Sequence, residues 1–230
     1  MQYSLLSVLS FATVVYGHGH VLSPQARVAG AGFGQNCGQQ MLSIESSDRN
    51  SNIQNLQQQA KSDFDPKKCN LELCKGIPFS DVKSGDVQKY TAGQTVDFKV
   101  QIAAPHTGVA NVSVIDTTTN TMIGKPLIQF TNYASTSTGV AKNNTDFSVT
   151  IPNDLSVCTT AGVCVLQWWW DAPDIKQTYI SCVDFTTGSG GSGSGSGSGA
   201  GSGSGAGSNN ATASGTGAQA NAASPSQSCN

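Results

Sequence analysis

Apolar and polar residues alternate along several short stretches of the chain. The clearest alternation covers residues 94–103, and the same period recurs at 112–114 and 147–151. Two further apolar stretches, 164–170 and 178–185, have the length of buried strands. Period-two patterns separated by turns rich in Gly, Asn, Pro and Asp are typical of an antiparallel β-sandwich. We therefore predict an all-β domain.

Two local patterns refine this picture. Residues 46–60 carry a weak helical pattern, which predicts a short helix inside a long loop between the first strands. The run Trp168-Trp169-Trp170 lies inside an apolar strand, so its side chains point to alternating faces. An exposed ring would stack well on a sugar. The apolar context favours the core for this run, with partial exposure.

The beginning of the chain has the pattern of a cleaved secretory signal peptide. Residues 1–17 contain an apolar stretch too short to span a bilayer, and they end at the small residue Gly17. Cleavage after Gly17 would make His18 the first residue of a secreted, extracellular protein. Cleavage after Gly19 is the alternative.

The end of the chain differs in composition from the domain. Residues 188–208 are almost entirely Gly and Ser, and residues 209–230 show no apolar period. Such segments cannot offset the entropy of ordering. We predict a sandwich domain at 18–187 followed by a disordered tail at 188–230.

Charge is sparse, which limits the partners that suit this protein. Only 11% of residues are charged and the net charge is −2. No basic patch suited to nucleic acid is evident, and no further stretch is apolar enough to enter a membrane. A neutral polysaccharide fits this surface, although any extracellular protein has a similar one. We expect a monomer.

Seven cysteines in a secreted chain predict a disulfide framework. Cys229 lies in the tail, and the remaining six lie in the domain. Those six are Cys37, Cys69, Cys74, Cys158, Cys164 and Cys182. Because Cys158 and Cys164 are close in sequence, we predict that they pair.

Proximity also guides the other two predicted bridges. Cys69 and Cys74 are close in sequence, so we predict that they pair. Cys37 is then left for Cys182, which would tie an early loop to the last strand. Six cysteines allow 15 pairings, and proximity selects one of them.

Three triplets fit the N-glycosylation pattern. They begin at Asn111, Asn143 and Asn210. Such triplets arise often by chance, so they support secretion only weakly.

The candidate chemistry lies in the histidines, of which the chain has three: His18, His20 and His106. An N-terminal His18 would offer its α-amine and its ring Nδ1 as one chelating pair. His106 follows the strand at 94–103, and Pro105 ends that strand, so His106 is predicted at the exit into a loop. Two nitrogens opposed by a second imidazole suit Cu(II), so we predict one copper ion.

Gln177 and Tyr179 form the third element of the candidate site. On a strand they point to the same face. A tyrosine is able to cover an axial position of copper, and a glutamine is able to donate a hydrogen bond beside it. Taken alone, the two residues are better explained as an ordinary structural pair.

Two segments resemble a known family. The N-terminal one begins His18-Gly19-His20-Val21-Leu22-Ser23-Pro24-Gln25-Ala26-Arg27, and it is similar to the start of lytic polysaccharide monooxygenases of the chitin-binding type-4 kind. The other runs Gln177-Thr178-Tyr179-Ile180-Ser181-Cys182, after Trp169-Trp170-Asp171-Ala172-Pro173, and it resembles the family's C-terminal strand. The combination looks closest to the fungal group called auxiliary activity family sixteen.

This resemblance implies an immunoglobulin-like or fibronectin-like sandwich with a flat copper face. It implies His18 and His106 as copper ligands, Tyr179 as the axial residue and Gln177 as a hydrogen-bond donor beside the metal. The implied reaction is the oxidative cleavage of crystalline polysaccharide, cellulose before chitin, with O₂ or H₂O₂. A small molecule or a protein would donate the electrons.

Other functions remain open at this stage. A copper-binding protein without turnover would present the same histidines. A non-catalytic carbohydrate-binding module would need none of them. His20 also creates a rival copper site, because a terminal amine, two amides and a third-residue histidine bind Cu(II). That site needs a coiled backbone, which a β-strand disfavours.

Overall fold

Two β-sheets form residues 18–188, the part of the chain that the computed structural model describes. The strands are β1 (His18–Ser23), β2 (Gln88–Tyr90), β3 (Thr95–Ala104), β4 (Gly108–Asp116), β5 (Thr121–Met122), β6 (Ile128–Tyr133), β7 (Asp146–Thr150), β8 (Cys164–Ala172) and β9 (Gln177–Thr187). One sheet has the order β1-β3-β7. The other has the order β2-β9-β8-β4-β5, and β6 also pairs with β4. The predicted signal peptide and residues 189–230 of the predicted tail lie outside the described residues.

The two sheets face each other across the main core. On β3, buried and exposed residues alternate, because one face of that strand lines the core and the other meets solvent. Phe98 of β3 stacks on Phe147 of β7, with 5.4 Å between ring centroids. The opposite sheet contributes the inner faces of β4, β8 and β9. Apart from the parallel pair β2 and β9, all strand pairs are antiparallel, so the predicted sandwich is confirmed.

The tryptophan run belongs to the interior. Trp168 and Trp170 are fully buried between the sheets. Trp169 points to the outer face of β8, where it is half-buried against a second apolar cluster. Since none of the three rings is exposed, the core interpretation of the run is the one that holds.

A helical layer covers the outer face of β9. It contains α1 (Ala31–Cys37), α2 (Gln39–Ser47) and α3 (Ile53–Gln58), while α4 (Lys142–Thr145) lies later in the chain. Short 3₁₀ turns occupy Cys74–Gly76, Phe79–Asp81, Ser84–Asp86 and Pro173–Ile175. The helix expected within 46–60 is α3, and it starts where the Asn52 side chain accepts a hydrogen bond from the Asn55 amide at 2.7 Å. Among residues 18–188, no helix is long and apolar enough to cross a membrane.

The disulfides correct the predicted pairing. The bridges are Cys37–Cys69, Cys74–Cys182 and Cys158–Cys164, so only the last prediction was right. The expected Cys37–Cys182 and Cys69–Cys74 bridges do not form, because the turn after Cys69 carries the chain from one apolar cluster to another. Cys69 packs with Cys37 in the helical layer. Cys74 packs instead against β9, beside Cys182.

The sequons differ in accessibility. Asn111 is half-buried in the middle of β4, where its side-chain oxygen accepts a hydrogen bond from the buried Ser113 at 2.9 Å. Asn143 is exposed on α4. Asn210 lies outside the described residues. Of the two sequons that the structure describes, Asn143 is therefore the accessible one.

A buried ion pair joins the N-terminal segment to the last strand. Arg27 follows β1, and its guanidinium donates to both carboxylate oxygens of Asp184 on β9, at 2.7 and 2.8 Å. A third donor of Arg27 reaches the Ile77 carbonyl at 2.7 Å. Both side chains are almost inaccessible to solvent. The bidentate geometry and the extra bond satisfy charges that would otherwise be costly to bury.

We predict that Arg27→Met lowers the free energy of unfolding by about 3–5 kcal/mol, because Asp184 would stay buried without its partner. Denaturant unfolding measures this value. The exposed pair of Lys99 and Asp146 provides the control, and Lys99→Met should leave stability nearly unchanged. Equal stability of Arg27→Met and the parent would contradict the role of this ion pair.

Candidate metal centre

The pairing of β1 with β3 brings the two predicted ligands to the same end of the sandwich. His18 lies opposite Ala104, the last residue of β3. His106 sits in the three-residue loop that follows, before β4 begins at Gly108. Burial lowers the pKa of His106. The electrostatic effect of the nearby His18 lowers this pKa further.

The ring of His106 has the properties of a metal ligand. Its Nε2 atom is buried and has no hydrogen-bond partner among residues 18–188. A buried polar nitrogen without a partner is costly, so a ligand for that atom is expected. The lowered pKa favours the neutral ring, which is the form that coordinates metals. The donors present therefore fit a copper ion.

The loop of His106 is fixed from both sides. The Thr107 hydroxyl oxygen accepts a hydrogen bond from the Thr136 amide at 2.9 Å, which ties the loop to the segment after β6. On the other side, β4 lies so close to β8 that a Cβ atom on Gly108 would fall 1.9 Å from the Asp171 carbonyl oxygen. Only glycine permits this approach.

The strand that carries His18 lies directly on the buried tryptophans. A Cβ atom on Gly19 would fall 2.9 Å from the Gln101 carbonyl oxygen and 3.1 Å from the Trp170 ring. The absence of a side chain thus lets β1 settle on the core. This contact explains why a glycine follows His18.

Gln177 and Tyr179 contact each other, as their shared face predicts. The Tyr179 hydroxyl donates a hydrogen bond to the side-chain oxygen of Gln177. The Tyr179 ring is buried and stacks on Trp170, with 4.5 Å between centroids. Burial raises the pKa of Tyr179, so it stays a neutral phenol. Since the oxygen of Gln177 accepts this bond, its NH₂ group is the end suited to donate to a ligand.

Asp48 connects the histidine side of the site with the tyrosine side. Its Oδ2 atom lies 3.5 Å from the His18 Nδ1 atom. Its negative charge also contributes to the raised pKa of Tyr179, behind burial. No sequence pattern points to this residue, because Asp48 follows α2 in a polar loop without periodicity.

His20 is held away from the rival arrangement. It lies in β1 opposite Gln101 of β3, so its backbone is extended rather than coiled. The ring is buried, and its Nδ1 atom is 2.7 Å from the side-chain oxygen of Asn50. Burial lowers the pKa of His20, while the bond to Asn50 raises it.

The described residues contain no other evident metal cluster. In the range 18–188, no three His, Cys, Asp or Glu side chains form a group able to hold a metal ion. The predicted centre uses only two such side chains, because its third donor is a terminal amine. Five cavities stand out in the same range, and none is lined by His18, His106, Gln177 or Tyr179.

A sequence model described as "lytic polysaccharide mono-oxygenase, cellulose-degrading" matches residues 18–185. The chain belongs to this family. Membership confirms the resemblance seen in the sequence and the expected enzyme class, a polysaccharide mono-oxygenase. The closeness to the fungal group stays a prediction. The comparison with curated proteins returned no significant match.

Several solved structures are similar to this mono-oxygenase. An AA10 lytic polysaccharide monooxygenase from Streptomyces lividans is 16% identical, with a TM-score of 0.33; the match covers 44% of this chain and 58% of that one. A CBM33 protein from Bacillus amyloliquefaciens, in complex with Cu(I), is 14% identical, with a TM-score of 0.39 and coverage of 74% and 100%. An AA15 lytic polysaccharide monooxygenase from Thermobia domestica, in the Cu(I) state, is 18% identical, with a TM-score of 0.38 and coverage of 74% and 98%.

We predict that Gly108→Ala in this mono-oxygenase displaces the start of β4 and the His106 loop, because the added methyl group would overlap backbone atoms of β8. Thermal unfolding should show a clear loss of stability, since backbone cannot yield as a flexible side chain does. Gly85→Ala is the matched control, because nothing lies within 4 Å of a Cβ atom at that position. A Gly108→Ala protein as stable as the control would disprove the close packing of β4 and β8.

Proposed function

We propose that this protein is a secreted, copper-dependent enzyme that oxidatively cleaves glycosidic bonds in crystalline polysaccharide. The observation that carries the proposal is the buried, unpartnered Nε2 atom of His106 beside His18. Cellulose is the favoured substrate because the matched family is described as cellulose-degrading, and chitin is the second choice.

His18 and His106 would hold the copper ion. In a chain that begins at His18, the terminal amine, the His18 ring and the His106 ring would be its three nitrogen donors. Bound copper would supply the one-electron chemistry by which O₂ or H₂O₂ oxidises a sugar, with electrons from an external donor. Three neutral nitrogen donors suit both oxidation states of copper.

Tyr179 and Gln177 would shape the surroundings of the ion. The Tyr179 ring, stacked on Trp170, closes the inner side of the site to water. Its hydroxyl holds the oxygen of Gln177, which orients the amide NH₂ group. A donor fixed before the substrate arrives stabilises developing negative charge without reorganisation.

The location of the site suits a solid substrate. The donors lie at one end of the sandwich rather than in one of the five cavities described above. Small-molecule ligands usually bind in concave pockets, whereas a crystalline chain can only be reached by an exposed surface. The carbohydrate-binding-module alternative loses support, because Trp169 packs against the helical layer instead of offering an open ring.

We predict that the mature protein binds one Cu(II) and that His106→Ala weakens this binding by at least about tenfold, because one of the two imidazole ligands is lost. Isothermal titration calorimetry measures the Kd and the stoichiometry. Unchanged affinity in His106→Ala would remove His106 from the ligand set. Intact-mass analysis of the secreted protein should find His18 as the first residue.

We predict that Gln177→Ala keeps copper affinity nearly intact and lowers the yield of oxidised sugars per bound copper by about 100-fold or more, the effect of a lost donor at a reacting centre. Tyr179→Phe should have a milder effect, since the ring remains. Gln88→Ala changes a half-buried glutamine on β2 and serves as control. Chromatography of the products from cellulose and chitin, with reductant supplied, measures all three variants.

The outcome also separates the competing functions. A parent protein that binds copper but oxidises neither polysaccharide would favour copper binding without turnover. Polysaccharide binding that survives copper removal, without any oxidised product, would favour a binding module.

A further inference from the structure

The segment from Asp48 to Asn52 contacts two residues of the candidate metal centre, His18 and Tyr179, and the neighbouring His20. Alternate side chains of this segment point toward the site, and the residues between them are anchored in the interior. Neither the two motifs that carry the family resemblance nor the predicted ligand set includes this segment.

The first contact is made by Asp48. Its Oδ1 atom accepts hydrogen bonds from the backbone amide and the side-chain amide of Asn50, at 3.0 and 2.9 Å. Those bonds fix the carboxylate and leave its other oxygen, Oδ2, facing the His18 Nδ1 atom at 3.5 Å. Asp48 therefore contacts the ring atom that is predicted to bind the metal, and this contact orients the ring in the metal-free protein.

The next two contacts follow at every second residue. The side-chain oxygen of Asn50 is 2.7 Å from the His20 Nδ1 atom. The side chain of Asn52 lies beside Tyr179 and also caps α3. One short segment thus contacts His18, His20 and Tyr179 in turn.

The residues between these contacts are held from inside the protein by Lys75. The Lys75 ammonium donates to the Arg49 carbonyl at 2.8 Å and to both oxygens of Glu45 at 3.2 Å. The Ser51 hydroxyl donates to Glu45 at 2.5 Å. The side chains of Lys75 and Glu45 are almost fully buried, so water does not compete for these bonds.

The direction of Lys75 is in turn set by β9. Cys74, Lys75 and Gly76 all have left-handed backbone conformations, which are uncommon for residues other than glycine. The Cys74–Cys182 bridge joins this turn to β9, and the Cys74 amide donates to the Gln167 side chain at 3.0 Å. The strand that carries Tyr179 thereby also fixes the lysine beneath the segment.

We propose that the segment from Asp48 to Asn52 positions His18 and Tyr179 in the metal centre and His20 beside it, and that Lys75 is the positioning residue that fixes this segment. The proposal rests on the proposed function in one respect, namely that His18 binds the metal. His106 is fixed independently, by the Thr107 and Thr136 contacts. Loss of Lys75 should therefore loosen His18 and leave His106 in place.

The test compares Lys75→Met with the parent, both as secreted mature protein. Because the chain has only three histidines, their imidazole nitrogens can be resolved by NMR in the metal-free protein. We expect the His18 and His20 signals to shift or broaden and the His106 signals to stay close to the parent values. Calorimetry should show the Kd for Cu(II) raised by about tenfold or more, as for other residues that orient a metal ligand.

Leu155→Ala is the control for a general loss of stability. Leu155 is buried near Thr187, at the end of β9 opposite Gln177, and its substitution should leave all three histidines and the copper Kd unchanged. If Lys75→Met does not fold, Ser51→Ala is the second test, because it removes one hydrogen bond to Glu45. We expect it to shift the NMR signals of His18 and His20 in the same way, to a smaller extent.

A folded variant with parent-like His18 and His20 signals and a parent-like copper Kd would overturn the proposal, as would equal changes at all three histidines. Failure of the parent to bind copper would instead overturn the proposed function. The metal-free NMR comparison would still decide whether Lys75 positions the two rings.

Discussion

The buried ion pair between Arg27 and Asp184 constrains the rest of the structure, because it fixes where the N-terminal strand can lie. β1 is a six-residue edge strand that pairs only with β3, and an edge strand of that length is prone to fray. The Arg27 amide also donates to the Cys182 carbonyl at 2.8 Å, so backbone and side chain are both tied to β9. With its continuation fixed in this way, β1 is able to present His18 at a defined point.

Much of the sandwich could be predicted from sequence, because β3, β7, β8 and β9 each have at least one face in the core. Their apolar period therefore survives in the sequence. β6 was missed because it lies at an edge and most of its residues are exposed or half-exposed. α1 and α2 were missed because their pattern is weak. The disulfide prediction failed because closeness in sequence does not show which cluster a residue joins. Cys69 and Cys74 are close in sequence, but they pack into different apolar clusters.

Some residues of the candidate site could likewise be named from sequence, and others could not. His18, His106, Gln177 and Tyr179 could be named because each follows from a local feature, such as a predicted cleavage site, a strand end or a shared strand face. Asp48 and Lys75 could not, because their importance arises only where distant segments meet. A buried lysine in particular has no sequence signature, and its partner Glu45 lies in a different helix. Candidate ligands can thus be named from sequence, whereas the residues that contact them depend on the fold.

The bonds that fix β1 against β9 have a consequence for biosynthesis. The Val21 amide donates to the Ser181 hydroxyl across 160 positions of chain, and Arg27 reaches Asp184 across 157. A ribosome makes the first strand long before β9, so a nascent chain can pair that strand with β3 but lacks its contacts to β9 until almost the whole domain has been translated. A product that terminates early would lack β9 altogether. The contacts between the N-terminal segment and β9 therefore form only in molecules that have been translated through Asp184.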